Sequence, residues 1–163
     1  METVLSIYSN IIDGKIHTAK TALLEIEFSA TDNDPATQVS IVIDNQVVLS
    51  KKLSSDITKF EYGIPEPVIV YGNTSNTETI EHELRIEVSG RPTGAMLHIR
   101  SICIEGLCMR LTMEDSGECQ LDGKPAVPSE YMGQVGYQSL RFTTPIYPWL
   151  LVNERKDTYY YPH

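Results

Sequence analysis

The stretch Glu81-His82-Glu83-Leu84-Arg85-Ile86-Glu87-Val88 alternates without a fault, with His82, Leu84, Ile86 and Val88 in one phase and Glu81, Glu83, Arg85 and Glu87 in the other. Period-two spacing belongs to a β-strand, whose successive side chains leave on opposite faces. A helix would spread both sets around its circumference. One phase is apolar and the other charged, so the strand predicts an antiparallel sheet with a core on one side and water on the other.

The same pattern recurs on either side of this stretch. Leu24, Ile26 and Phe28 alternate with Glu25 and Glu27, and Val39, Ile41 and Ile43 lead into Asp44-Asn45, after which Val47 and Leu49 continue the apolar phase. The pair Asp44-Asn45 tolerates the left-handed backbone of a two-residue turn, which predicts a hairpin. Residues 96–104 and 107–113 flank Glu105-Gly106, a second such turn that sets Ile104 opposite Leu107 and Ile102 opposite Met109. Between Leu97/Ile99 and Ile102/Ile104 the apolar phase shifts by one, which predicts a β-bulge.

No window of helical length carries an apolar stripe with caps, and residues 6–20 hold a short turn at most. Turn-rich segments at 31–35, 72–76, 90–94 and 122–129 cut the chain into about eight to ten strands. The expectation is an all-β fold, an antiparallel sandwich or jelly roll. No repeat or long linker divides the chain, so residues 1–152 read as one domain and residues 153–163 as a C-terminal arm.

The chain has 163 residues with a formal charge of −9, and its 13 Lys and Arg are scattered instead of gathered into a stripe. That leaves no electrostatic footprint for a phosphate backbone, so no nucleic-acid partner is expected. No run of about 18 apolar residues exists, and Met1-Glu2-Thr3 opens neither a charged nor an apolar leader region, so no membrane partner or signal peptide is expected.

Candidate chemistry is sparse. Cys103 and Cys108 stand opposite each other across the Glu105-Gly106 turn, so a cross-strand disulfide is geometrically open. The odd third residue, Cys119, and the missing leader favour free thiols instead. His17, His82, His98 and His163 lack the spacing of a zinc site, and His82 on its apolar face reads as a satisfied buried histidine. Asp32 and Asp34, with Asn33 between them, present the oxygens that calcium favours, although a turn in which these side chains bond their own backbone explains them more simply. Glu25 and Glu27, and Glu81, Glu83 and Glu87, read as solvated strand faces rather than a hydrolytic carboxylate pair. No nucleophile elbow, phosphate loop or metalloprotease helix is present, so no enzymatic activity is expected.

Six of the nine Tyr and the single Trp lie from Tyr131 onward. There Met132-Gly133, Gly136-Tyr137, Leu140-Arg141-Phe142 and Pro145-Ile146-Tyr147-Pro148-Trp149-Leu150-Leu151 follow one another. This order resembles the closing motif of small β-sandwich virion proteins and modules of tailed bacteriophages of marine, cyanobacterial and T-even-like kinds. With the strands at 24–28, 39–49, 82–88 and 102–107, the resemblance spans residues 22–152. The strand order is also similar to that of calcium-dependent, xylan-binding carbohydrate-binding modules.

The resemblance implies a non-enzymatic virion protein made in the host cytoplasm. It would be a capsid decoration or tail-associated component whose partners are other capsid or tail subunits. Phe142, Tyr147, Trp149 and Leu150 then close the core, and Arg155, Tyr159, Tyr160 and Tyr161 form an arm that contacts a neighbour. The alternative is a carbohydrate-binding module reading host-surface glycan, with Tyr137, Tyr147 and Trp149 as stacking rings and calcium at Asp32 and Asp34 as the one cofactor to consider.

Overall fold

The computed structural model describes residues 8–12, 15–18, 21–65, 69–70, 79–109, 117–144 and 159–160. In chain order the strands are β1 (Tyr8–Ile12), β2 (Lys15–Thr18), β3 (Thr21–Ala30), β4 (Asp34–Ile43), β5 (Gln46–Leu53), β6 (Thr58–Pro65), β7 (Ile69–Val70) and β8 (Ile80–Gly90). They continue with β9 (Leu97–Ile104), β10 (Leu107–Met109), β11 (Gly117–Leu121), β12 (Lys124–Pro125), β13 (Tyr131–Met132), β14 (Gly136–Thr144) and β15 (Tyr159–Tyr160).

Ten strands build an antiparallel sandwich. One sheet runs β10-β9-β3-β6, extended by β15 beside β10 and β13 beside β9, and the other runs β12-β11-β14-β8-β4-β5. A third small sheet, β1-β2-β7, occupies part of the segment in which at most a turn was expected. The all-β sandwich expected from alternation is therefore the fold.

Inward phases match those read from sequence. Leu24, Ile26 and Phe28 meet Ile99, Ile102 and Ile104 in the first sheet, and Val39, Ile41, Leu84, Ile86, Val88, Leu140 and Phe142 line the second. All are buried, and each such side chain stabilises the fold by roughly 1.5–3 kcal/mol relative to exposure. Phe142, expected to close the core, is 2% exposed. Tyr147, Trp149 and Leu150 lie outside the described residues.

The bulge is where the phase shift placed it. Glu27 pairs with Ser101 and Phe28 with Ile99, leaving Arg100 as the extra residue, turned outward onto Glu27 at 3.4 Å. A second irregularity corrects one expectation. Ile41 pairs with Leu49 but Val42 with Val47, so the extra residue Val48 throws Val47 outward, where it is 61% exposed.

Turn chemistry fixes the hairpins. Asp44 and Asn45 (φ 51° and 65°), Glu105 and Gly106 (51° and 80°), and Asp122 and Gly123 (51° and 75°) each have two consecutive left-handed residues, the backbone whose twist matches that of flanking strands. The last pair makes the β11–β12 hairpin inside what the sequence reads as a loop.

Across the Glu105-Gly106 turn, Leu107 faces Ile104 and Met109 faces Ile102, as expected. Cys103 and Cys108 face each other and are joined in a disulfide, which corrects the expectation of free thiols. Their shared register position brings the sulfurs together whatever the parity of the cysteine count. Cys119 is free and buried, and burial pushes its thiol pKa up, which keeps it protonated and unreactive.

Gly90 ends β8 where β4 bulges. Asp34 pairs with Leu53 and the next pair is Gln38 with Lys52, so residues 35–37 stand out from β5 toward Gly90. A Cβ at Gly90 would collide with the Ala36 carbonyl oxygen, and φ is +97°. Gly94 has φ +109° but open space around it. Gly90→Ala should therefore cost about 2 kcal/mol or more and Gly94→Ala only about 1 kcal/mol. Urea denaturation of both variants tests this, and equal losses would remove the collision from the account.

Candidate functional site

The loop carrying the candidate calcium ligands is already satisfied from within. Asp34 is 1% exposed. Its Oδ2 accepts the Thr93 amide at 2.8 Å and the Thr93 hydroxyl at 2.9 Å, and its Oδ1 accepts the Ala36 amide at 3.2 Å. The Thr93 amide does most to hold this carboxyl below the ordinary carboxylate range, against the opposing cost of burial, with hydroxyl donors and the Ala36 amide adding to it.

Asp32 Oδ1 accepts the Asn33 amide, and Asn33 Oδ1 accepts the Ser55 amide. Carboxylates facing N–H donors are poorly placed to share lone pairs with a cation, which needs about 6–8 oxygens. Among the described residues no group of three or more His, Cys, Asp or Glu side chains is arranged to hold a metal ion. The donor set does not fit calcium.

His82 is buried and fully satisfied. Its Nδ1 lies 2.7 Å from Asp44 Oδ2 and its Nε2 2.8 Å from Thr144 Oγ1. Both ring nitrogens therefore have partners within hydrogen-bond distance. Asp44 Oδ1 also accepts the Glu83 amide at 2.8 Å, so the turn residue Asp44 clips the β4–β5 hairpin to β8.

The Thr144–His82–Asp44 order has the spacing of a nucleophile, a base and its orienting acid. Thr144, however, is 0% exposed and no substrate carbonyl can reach its hydroxyl. The trio is an internal brace.

The outer face of the six-stranded sheet is different. Register places Tyr137 beside Glu87, Ser139 beside Arg85 and Arg141 beside Glu83 on β14 and β8, with Glu118 of β11 flanking Ser139. The Arg85 guanidinium lies 4.0 Å above the centre of the Tyr137 ring, a cation–π contact. Arg85 also pairs with Glu83 at 3.6 Å and Glu87 at 3.5 Å, while Arg141 takes the other oxygen of Glu83 at 3.6 Å.

The Tyr137 hydroxyl donates to Glu118 at 3.3 Å. Its pKa is raised first by loss of solvent and then by the charge of Glu118, so the phenol remains a donor at neutral pH.

This face runs into an open cleft of about 800 Å³ lined by Asp44, Asn45, Glu81, His82, Arg141 and their neighbours. The sequence reading singled out only Tyr137 here, and took the glutamates for a solvated face. Arg85, Glu83, Arg141, Glu118 and Ser139 become one surface only through the β8–β14–β11 register. The signal present in sequence was the complementary charge of the odd positions, Glu83 and Arg85 on one strand and Arg141 on the other.

The opposite outer face carries a smaller depression of about 310 Å³ bordered by Glu25, Glu27, Lys59, Glu61 and the disulfide. Tyr159 and Tyr160 pair with Met109 and Cys108 at the edge of their own sheet. Tyr147, Trp149, Arg155 and Tyr161 lie outside the described residues.

Asp34 makes a testable contribution to stability. Its lowered pKa means that the contribution is complete above the ordinary carboxylate value of about 4 and is lost as pH falls through the native value. Thermal melting at pH 7 and pH 3 should show that Asp34→Asn lowers the midpoint at pH 7 and flattens its fall toward acid. Calcium and a chelator should give the same midpoint; a rise with calcium that vanishes in Asp34→Asn would return the metal to this loop.

No family model matches the chain, and no curated protein matches it. Among solved structures it is similar to vCBM60, described with the calcium-dependent carbohydrate binding modules, at 15% identity over 73% of this chain and 89% of that one, with a TM-score of 0.48. It is likewise similar to vCBM60 in complex with galactobiose, at 14% identity over 72% of this chain and 96% of that one, with a TM-score of 0.49. At these identities the likeness is one of β-sandwich architecture.

Proposed function

We propose that this chain is a non-enzymatic glycan-binding module that reads sugar with the outer face of its six-stranded sheet. The carrying observation is the open cleft of about 800 Å³ lined by Glu81, Glu83, Arg85 and Arg141, whose carboxylates and guanidinium groups strand register holds side by side, with Tyr137 next to it beneath Arg85. A pyranose has an apolar ring face and a rim of hydroxyls that both donate and accept. Tyr137 offers an apolar ring face once the Arg85 guanidinium that caps it shifts aside, and Glu83, Glu118, Arg85 and Arg141 offer acceptors and donors in alternation. Strand-borne side chains suit such recognition because little freedom is lost on binding.

A second reading, attachment to capsid or tail subunits, has in its favour the edge position of β15, which places Tyr159 and Tyr160 at the rim of their sheet beside β10. Retention on immobilised neutral polysaccharides separates the two. The glycan reading expects wild-type retention and a loss of about tenfold or more in Tyr137→Ala, the scale of one well-placed aromatic contact, with melting within a few degrees of wild type. Indifference of every polysaccharide to the wild-type protein, with co-sedimentation on phage particles, would give the virion reading the field.

A further inference from the structure

Two polar atoms on this face are buried without a hydrogen-bond partner among the described residues: Ser139 Oγ and Arg85 Nε. They belong to residues directly opposite each other on β14 and β8. Ser139 is 6% exposed although it points away from the core. A buried hydroxyl left unpaired is costly, and protein structures satisfy nearly all such groups. Arg85 Nε has only a long ion pair, 3.6 Å from Glu83 Oε1, and Nη1 lies 3.5 Å from Glu87 with the guanidinium over the Tyr137 ring, all longer than a good charged hydrogen bond.

We infer that Ser139, Arg85 and Tyr137 form a covered sugar subsite in which one ligand hydroxyl supplies the missing partner of Ser139 Oγ and Arg85 Nε. This rests on the glycan reading above. As the ring settles on Tyr137 the guanidinium shifts aside, and the hydroxyl enters between Arg85 and Ser139. It accepts from the Arg85 N–H and shares a hydrogen bond with the serine.

The neighbours set the chemical class. Three carboxylates, Glu83, Glu87 and Glu118, stand against two guanidinium groups, Arg85 and Arg141, which are already paired to them, so an anionic group meets a net negative rim, while an ammonium group has no lone pair for the Arg85 N–H. A neutral hydroxyl meets both demands. The subsite therefore takes neutral sugars and rejects uronic acids.

Calorimetric titration of the full chain tests this with neutral disaccharides, galactobiose, cellobiose and xylobiose, and with digalacturonic acid. The expected result is binding of at least one neutral disaccharide, a loss of about fivefold in Ser139→Ala from one missing hydrogen bond, and weaker binding of the uronic dimer than of galactobiose. Removing an unpaired hydroxyl leaves the fold intact, so Ser139→Ala should melt at or above the wild-type temperature. Equal affinity of Ser139→Ala and wild type, with Tyr137→Ala impaired, overturns the subsite and leaves the glycan reading standing. Digalacturonic acid binding as tightly as galactobiose overturns the class. Absence of heat with every disaccharide overturns the subsite and the reading beneath it.

Discussion

A strand in the middle of a sheet must satisfy two neighbours with its backbone and two environments with its side chains. β8 carries that constraint here. It pairs with β4 along one edge and β14 along the other, so its register decides which residues of three strands face inward. A slip of one residue would turn His82, Leu84, Ile86 and Val88 to water and bring three glutamates and an arginine into the core, at a cost no local gain could offset. The candidate site is the reverse side of the same strand, and the packing of the core places Glu83 and Arg85 beside Arg141 and Tyr137.

Much of the polar interior is satisfied from within the chain. Asp34 is held by Thr93 and Ala36, and His82 by Asp44 and Thr144. Gln138 accepts the Ser129 amide through its Oε1 and donates to the Ser129 carbonyl through its Nε2, so a side-chain amide completes the pairing a backbone would have made. Each buried group joins distant parts of the chain, which makes these residues braces between strands and loops. Among the described residues two buried hydroxyls stand apart from that background, Thr37 Oγ1 in the β4 bulge and Ser139 Oγ on the outer face.

Much of the fold was legible because alternation and turn chemistry are local signals. The faces of β3, β4, β8 and β9, the Asp44-Asn45 and Glu105-Gly106 turns and the bulge at Arg100 could all be read from neighbouring residues. The outward turn of Val47 could not, because the extra residue Val48 shows itself only against its partner strand. The disulfide was legible as a pairing, whereas its formation was set aside on the parity of three cysteines and the missing leader, neither of which says anything about geometry. The candidate site was mostly illegible. Glu83, Arg141 and Glu118 are far apart in sequence and meet only through pairings that alternation cannot assign, and Ser139 has no feature that distinguishes it from any strand serine.

The two-residue turns also order events in time. β4–β5, β9–β10 and β11–β12 each close a loop of a few residues, a step of little entropic cost, whereas β3–β9 and β4–β8 join segments tens of residues apart and wait for larger closures. β14 docks on β8 across a separation between those two. During synthesis the other large strands of the two described sheets have emerged before Tyr137, Ser139 and Arg141, so the proposed recognition face comes into being with the last large strand among the described residues.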